Sequence, residues 1–358
     1  MRIITVLKQI VWLTMKNNYL LLSFLFAVSS VYSMSSSNYT YNNELNIYSA
    51  RKEALIKPLL DQFSKNTGTK INLITGKGDS LIARLKSEGI YSPADLLLTV
   101  DAGRLYRAQR AGLLQPMISK TLNNNIPSHL RSIDDQWFGL SIRARVIVYS
   151  RQRVSPDQLA TYKALADPKW RGKICVRSSG NIYNQSLVAG MLTSQGLEYT
   201  SDWLKGLVKN FARNPSGGDR DQIKAIAAGE CDIALVNSYY LAGMLDSEDP
   251  VEIAAASKVA LFWPDQNQLG THINISGAGI TKSCSNPDLA TDLIAFLTSD
   301  ESQQWYAEVN NEFPIRDDIE LNDVLKSWGA FKANQVNVSE LGRQNAAAIM
   351  AMDRAGWK

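Results

Sequence analysis

The feature that most constrains the fold is a repeated alternation of short apolar runs with helical patterns. In the first part of the chain the apolar runs lie at residues 45–48, 70–74 and 95–100, and the helical patterns between them lie at residues 52–66 and 81–85. A glycine follows each helical pattern, as expected at a helix end. Because parallel strands need a crossover connection, usually a helix, this alternation predicts a parallel sheet.

The alternation restarts after residue 143, so the chain carries two such units. The second set has apolar runs at residues 146–149, 173–176 and 232–236 and helical patterns at residues 181–193 and 219–228. A length of 358 residues also exceeds the usual size of one domain. We therefore expect an α/β fold of two lobes. The first lobe is assigned residues 44–142 and about 268–309, and the second lobe residues 143–267 and about 310–358.

The first 33 residues have the pattern of a secretory signal peptide. Three basic residues and no acidic residue accompany an apolar run at residues 19–28, and cleavage is expected near Ser33. Met15 is an alternative start, and an uncleaved membrane anchor is the competing interpretation. Residues 34–43 are polar and predict a flexible start of the mature chain. We therefore expect the protein in the periplasm.

The net charge gives no indication of nucleic-acid binding. The formal charge is +4, and three of these positive charges lie in the predicted signal peptide, which leaves a nearly neutral mature chain.

Export makes a disulfide permissible among the three cysteines. Cys175 and Cys231 each lie eight residues before a tyrosine, Tyr183 and Tyr239 respectively. Equal spacing is expected if two neighbouring parallel strands place both cysteines at one level and both tyrosines at another. We predict a disulfide between Cys175 and Cys231, with two buried free thiols as the alternative.

Catalytic residues are scarce in the sequence. It contains two histidines, His129 and His272, and no serine in a Gly-x-Ser-x-Gly elbow. It also lacks Cys-x-x-Cys and His-Glu-x-x-His motifs and a phosphate-binding loop. A secreted enzyme is therefore the least favoured function.

Two tyrosine sites fall where a predicted strand meets a predicted helix. Tyr239 and Tyr240 come just after the apolar run at residues 232–236, and Tyr183 lies near the start of the helix at residues 181–193. Adjacent aromatic residues are ordinary in strands, so the pair alone is a weak signal. Ligands of open α/β sheets bind beyond the carboxyl ends of the strands, however, which makes these tyrosines candidates for a binding site.

Three tyrosines in one cleft suit ferric iron. Fe³⁺ prefers hard oxygen donors, and its charge can ionise phenols whose free pKa is about 10. Three phenolates neutralise Fe³⁺ and leave coordination positions for carbonate, bicarbonate, another small anion or water. Arg51, near the start of a helix, is the candidate to hold that anion through two hydrogen bonds. A surface ion pair is the alternative for this arginine.

Six segments of the chain resemble the ferric-ion-binding periplasmic proteins of ABC iron-uptake systems. They are residues 45–51, 92–101, 137–145, 177–184, 217–222 and 237–240. The resemblance implies a two-lobed type-II periplasmic binding protein fold, in which each lobe has a mixed, mainly parallel sheet flanked by helices and the ligand cleft lies between the lobes. It also implies a monomer that delivers Fe³⁺ to an inner-membrane ABC permease and its ATPase.

The resemblance assigns Tyr183, Tyr239 and Tyr240 as the metal ligands. Many relatives carry a histidine near the first strand, often followed by tyrosine, whereas this chain has Arg51 followed by lysine and glutamate. It is similar there to members that bind iron with three tyrosines and a carbonate held by an arginine at the position of Arg51. We therefore expect anion binding at Arg51 and no histidine ligand from the first lobe.

Four further residues are candidates for supporting roles. Tyr48 and Asp101 are possible ligands from the first lobe, although Tyr48 is expected to pack along its strand and Asp101 to cap the following helix. Arg143 and Asn181 are candidates to support a phenolate or the anion. The alternative function is a binding protein of the same fold for an oxyanion or organic anion, with the tyrosines as hydrogen-bond donors and Arg51 as the cation.

Overall fold

The computed structural model describes residues 43–358. The predicted signal peptide at residues 1–33 and the alternative start at Met15 lie outside the described residues. The predicted flexible terminus at residues 34–43 also lies outside them, except for its last residue. Within residues 43–358, no helix is both long and apolar enough to cross a membrane.

Eight strands and thirteen α-helices make up the described part of the chain. The strands are β1 (Glu44–Ser49), β2 (Lys70–Thr75), β3 (Leu96–Val100), β4 (Phe138–Ser150), β5 (Ile174–Cys175), β6 (Ile233–Asn237), β7 (Val259–Phe262) and β8 (Ile273–Ile280). The helices are α1 (Glu53–Thr67), α2 (Gly78–Glu88), α3 (Ala102–Arg110), α4 (Lys120–Asn125), α5 (Ile182–Lys209), α6 (Asp219–Ala228), α7 (Ser238–Leu245), α8 (Pro250–Ser257), α9 (Pro287–Phe296), α10 (Asp300–Glu308), α11 (Asp323–Ser327), α12 (Ser339–Arg343) and α13 (Asn345–Ala355).

The strands form one continuous sheet in the order β2-β1-β3-β8-β4-β6-β5, and β7 also pairs with β4. β1 is parallel to β2 and β3, and β5 is parallel to β6. β8 is antiparallel to β3 and β4, and β4 is antiparallel to β6 and β7. The strands β1, β2, β3 and β4 therefore run in one direction, and β5, β6, β7 and β8 run in the opposite direction. The expected mixed sheet is confirmed, although it is not mainly parallel, because the described strands form three parallel and four antiparallel pairs.

β4 joins the two halves of this sheet. Its residues 138–144 pair with β8, and its residues 145–150 pair with β6 and β7. Gly277 of β8 permits the close approach of the two strands, because a Cβ there would lie 2.6 Å from the backbone oxygen of Phe138. One strand thus carries the chain from one half of the sheet to the other, while the lobe boundaries given above stay a prediction.

β6 shows how the sheet is packed on both faces. Ile233 and Leu235 belong to one apolar cluster, and Ala234 and Val236 belong to the other. This alternation follows from the two-residue period of a strand. Because burying a side chain such as leucine or isoleucine contributes about 1.5–3 kcal/mol, a strand covered on both faces is held firmly. The residues at its carboxyl end are therefore well positioned.

Helix α5 is longer than the predicted helix at residues 181–193. It continues to Lys209 and changes direction at Gly196, where φ is 81° and ψ is 176°. Glycine adopts this backbone conformation without the steric cost that other residues meet. The backbone of Gly196 is not helical, so the segment consists of two helices, and the predicted helix at residues 181–193 corresponds to the first of them.

Cys175, at the end of β5, and Cys231, just before β6, form the predicted disulfide. Both cysteines are buried, and their Cα atoms are 5.9 Å apart. β5 and β6 are neighbouring parallel strands, and each leads into one of the tyrosine sites. The crosslink therefore ties together the two segments that carry the tyrosines.

Candidate metal centre

Tyr239 and Tyr240 lie in the first turn of α7. The helix begins at Ser238, directly after β6 ends at Asn237. The rings of the two tyrosines are 4.3 Å apart between centroids, and both side chains are half-buried. Because no loop separates the strand from the helix, the buried strand sets the position of both tyrosines.

Tyr183 is the second residue of α5. Asn181 caps this helix, since its Oδ1 accepts a hydrogen bond from the backbone N–H of Tyr183 at 3.1 Å. Asn181 thereby fixes the helix start that carries this tyrosine.

All three tyrosines line one cavity of about 290 Å³. The same cavity is lined by Arg51, which follows β1, by Val100 at the end of β3, and by Glu312 after α10. The structure therefore brings the tyrosines and Arg51 together between the carboxyl ends of strands from both halves of the sheet.

Burial and the closeness of the tyrosines favour the protonated phenols. Burial, and then the proximity of Tyr183 and Tyr240, raises the pKa of Tyr239 well above its ordinary value. Burial, and then the proximity of Tyr183 and Asp219, raises the pKa of Tyr240 to about 12. Ionising these two side chains at neutral pH therefore requires a nearby cation of high charge.

Arg143 lies beside two of the tyrosines. Its guanidinium carbon is 5.7 Å from the ring centroid of Tyr183 and 5.7 Å from that of Tyr239. Its Nη2 donates to the backbone oxygen of Ile275 at 2.9 Å and to Ser276 Oγ at 3.1 Å, which fixes the side chain. Burial opposes its charge, but the proximity of Tyr239, Glu312 and Tyr183 outweighs burial and raises the pKa of Arg143. It is a buried cation beside the rings of two tyrosines.

Arg51 is 5% exposed and is ion-paired with Glu312, so the ion pair of the alternative interpretation is present, but it is buried and not on the surface. Its Nη1 and Nη2 each lie 3.1 Å from Oε2 of Glu312. Its Nε is also buried and has no hydrogen-bond partner among the described residues. Arg51 is thus held by a carboxylate of the protein and keeps one donor uncommitted. Anion binding by this residue stays a prediction.

Glu312 is a candidate that the sequence reasoning missed. Its Oε2 accepts hydrogen bonds from Arg51, from Ser141 and, at 3.3 Å, from Ser276. Its Oε1 lies 3.8 Å from Nε of Arg143. Burial opposes ionisation of this carboxyl, but Arg51 and Arg143 outweigh it and lower the pKa of Glu312. The cavity therefore contains a carboxylate between its two buried arginines.

Behind the tyrosines lies a second group missed by the sequence reasoning, which we call the Arg145 network. Arg145 donates to Oδ1 of Asp219 at 2.5 Å, to Oδ1 of Asn237 at 3.1 Å and to Oδ1 of Asn184 at 2.7 Å. Arg177 donates to the other oxygen of Asp219 at 2.7 Å. Asn184 lies at the start of α5 and Asn237 directly precedes α7. One buried guanidinium therefore connects the starts of both tyrosine-bearing helices.

Tyr48 and Asp101 do not line the cavity. Tyr48 is fully buried, and its hydroxyl donates to Oε1 of Glu88 at 2.9 Å. Asp101 caps α3 by accepting a hydrogen bond from the backbone N–H of Gly103 at 2.9 Å. Within residues 43–358, no group of His, Cys, Asp and Glu side chains is arranged to hold a metal ion. A metal site in this cavity therefore depends on the tyrosines.

A cavity at the carboxyl ends of strands from two sheet halves is the arrangement of a two-lobed ligand-binding protein. Residues 59–333 match the family described as bacterial extracellular solute-binding protein, and the chain belongs to that family.

The similar proteins include several that are named for iron. The chain is 47% identical over 315 residues to iron uptake protein A1 of Synechocystis sp., a match that covers 88% of each protein. The Trichodesmium protein IdiA (FutA), solved in complex with iron and citrate, is 52% identical with a TM-score of 0.86, over 88% of this chain and 100% of that one. The ferric binding protein of Campylobacter jejuni is 38% identical with a TM-score of 0.83, over 88% and 100%. These similarities confirm the expected family and its two-lobed fold.

Proposed function

We propose that this protein captures Fe³⁺ through the phenolates of Tyr183, Tyr239 and Tyr240 and delivers it to an ABC permease. The convergence of the three tyrosines on one cavity carries this proposal. The similarity to iron uptake protein A1 and to a ferric binding protein supports ferric iron as the cargo. The protein acts as a binding protein and not as an enzyme.

Iron binding exchanges phenolic protons for one metal ion. The raised pKa values of Tyr239 and Tyr240 keep these side chains neutral until a cation of high charge arrives. Three phenolates and Fe³⁺ together carry no net charge, so the loaded site avoids the cost of placing an uncompensated ion in a partly buried cavity. Arg143, beside two of the rings, stabilises the phenolate form further.

A small anion on Arg51 completes the iron shell. Arg51 lines the cavity, and its buried Nε has no hydrogen-bond partner among the described residues, which supports this residue as the donor for such an anion. Carbonate or bicarbonate is the proposed anion. The citrate present with iron in the Trichodesmium relative makes a carboxylate the second choice.

A binding protein for an oxyanion or organic anion is the second candidate function. Three arginines line the cavity, namely Arg51, Arg143 and Arg220, and this surplus of cations favours an anionic ligand. In that case the tyrosine hydroxyls donate hydrogen bonds and do not ionise. The protein would then bind its anion without iron and without colour.

We also propose how the protein is exported, which partners it docks on and where its two lobes begin and end. The signal peptide at residues 1–33 directs the chain to the periplasm, where the monomer docks on an inner-membrane permease and its ATPase. We assign residues 44–142 and about 268–309 to the first lobe, and residues 143–267 and about 310–358 to the second. The change of partner along β4 after residue 144 supports the boundary near residue 143.

An aerobic titration with Fe³⁺ and bicarbonate, followed by visible absorbance, tests the proposal. A phenolate-to-iron charge-transfer band should appear and should be lost in the variant Tyr239→Phe/Tyr240→Phe. Tyr91→Phe is the matched control, because Tyr91 is 88% exposed and does not line the cavity. A protein that stays colourless and takes up no iron would show the proposal to be wrong.

A further inference from the structure

The cavity contains its own negative charge among buried positive charges. Arg51, Arg143 and Glu312 all line it, and they are 5%, 3% and 5% exposed. The two other charged residues of the lining differ from these, since Lys52 is exposed and Arg220 is ion-paired with another glutamate. The buried charges at the cavity are therefore two guanidiniums and one carboxylate.

The two oxygens of Glu312 have different surroundings. Oε2 accepts the hydrogen bonds from Arg51, Ser141 and Ser276. Oε1 accepts no hydrogen bond from a described residue, and Nε of Arg143 lies 3.8 Å from it. The side chain is thus fixed through one oxygen, while the other remains able to accept a hydrogen bond from a ligand.

We propose that Glu312 determines the charge of the anion that binds with the metal, by selecting a singly charged anion over a doubly charged one of the same shape. This inference rests on the proposed function, because it concerns the anion at Arg51. Glu312 cancels one of the two positive charges of Arg51 and Arg143. A second negative charge would face the Glu312 carboxylate in a partly buried site, where like charges repel strongly.

The same geometry distinguishes bicarbonate from carbonate. Bicarbonate has one O–H group that can donate to Oε1 of Glu312, the oxygen that accepts no hydrogen bond from a described residue. Carbonate carries two negative charges and has no donor. The class of anion indicated is therefore a small, singly charged oxyanion, with a hydroxyl group as an advantage.

Oxamate and oxalate are a matched pair of probes, because they have nearly the same planar shape and carry one and two negative charges at neutral pH. Bicarbonate-free protein is loaded with Fe³⁺ and either anion, and the anion concentration that gives half of the visible band is measured. The ratio of the two concentrations is compared between variants under identical conditions, so that chelation of iron in solution affects each protein equally.

In Glu312→Gln the ratio should shift in favour of oxalate by at least about tenfold relative to the wild type. Glu312→Asp keeps the negative charge and should keep a ratio close to that of the wild type. Glu340→Gln is the matched control, since Glu340 pairs with Arg343 and does not line the cavity.

A ratio in Glu312→Gln that stays within about twofold of the wild-type ratio overturns the inference. If this variant does not fold, the wild type alone decides: after correction for chelation in solution, binding of oxalate at least as tightly as oxamate overturns the inference. The absence of a visible band with every anion, bicarbonate included, contradicts the proposed function itself.

Discussion

Replacing Asp219 by asparagine tests whether the Arg145 network stabilises the tyrosine sites. The side chain of Asp219 is fully buried and accepts hydrogen bonds from Arg145, from Arg177 and from the backbone N–H of Asn237. Asparagine keeps the shape but removes the charge. It also replaces one acceptor oxygen by an NH₂ group, which would point its hydrogens at an arginine that can only donate.

The size of the effect follows from the burial of each pair. Arg145 and Asp219 are 2% and 0% exposed, and removing one partner of such a buried pair costs about 3–5 kcal/mol. The side chain of Arg177 is 21% exposed, so solvent compensates part of its loss, and it adds about 1 kcal/mol at most. We expect the free energy of unfolding of the iron-free protein to fall by about 3–5 kcal/mol in Asp219→Asn.

Urea unfolding of the iron-free protein at neutral pH measures this change. Asp202→Asn is the control, because Asp202 forms an exposed ion pair with Lys205, with side chains 70% and 64% exposed, and its loss should cost less than about 1 kcal/mol. Iron affinity should fall in Asp219→Asn alone, since only that variant releases the helix starts that carry the tyrosines. A loss of stability no larger than that of the control would refute the reasoning.

Three further predictions follow from the same structure. Protons compete with iron for the phenolates. Because the pKa values of Tyr239 and Tyr240 are raised, acid should remove the visible band at a higher pH than it would for tyrosines of ordinary pKa. A band that stays unchanged into strong acid would contradict this prediction. Burial raises the pKa of Asp265 to about 6 in the folded protein, above an unfolded value of about 3.9. The folded protein therefore favours the protonated carboxyl. The free energy of unfolding gains from this group below the unfolded pKa, and this gain is lost as the pH rises through the folded pKa. Asp265→Asn should therefore stabilise the protein by up to about 2 kcal/mol at pH 7 and have little effect near pH 3, and equal effects in urea unfolding at the two pH values would contradict the assignment. The double variant Cys175→Ser/Cys231→Ser removes a crosslink between residues 56 apart and should lower the free energy of unfolding by about 4 kcal/mol. An unchanged free energy of unfolding would show that the crosslink does not stabilise the fold.

The elements that depend on local sequence could be predicted. The apolar runs predicted at residues 45–48 and 232–236 are β1 (Glu44–Ser49) and β6 (Ile233–Asn237), and Tyr239 and Tyr240, predicted where a strand meets a helix, follow β6 directly. Local patterns succeed in these places because burial on both faces of a strand leaves a continuous apolar run in the sequence. The part of α5 that follows Gly196 was not predicted, because the prediction ended the helix at residue 193 and a second helical stretch continues to Lys209.

The contacts that hold the site depend on topology and not on local sequence. Arg51 and Glu312 are separated by 261 residues, and Arg145 and Asp219 by 74. Nothing in the neighbourhood of Glu312 marks it as a partner, since a glutamate beside asparagines is ordinary on a surface. Tyrosine and arginine could be proposed from chemistry, whereas their carboxylate partners required the packed structure.

Ser141, Arg143 and Arg145 occupy alternate positions of β4, so their side chains point to the same face of the strand. Ser141 reaches Glu312, Arg143 lies beside the tyrosine rings, and Arg145 connects the starts of the tyrosine helices. Successive members of this row are spaced by about 6.4–6.8 Å along the strand. A substitution in the row changes one contact, whereas insertion or deletion of a single residue turns every following side chain to the opposite face. The identities of the residues in this row can therefore change more freely than its length, because the length sets the distance between the contact with Glu312 and the contacts at the starts of the tyrosine helices.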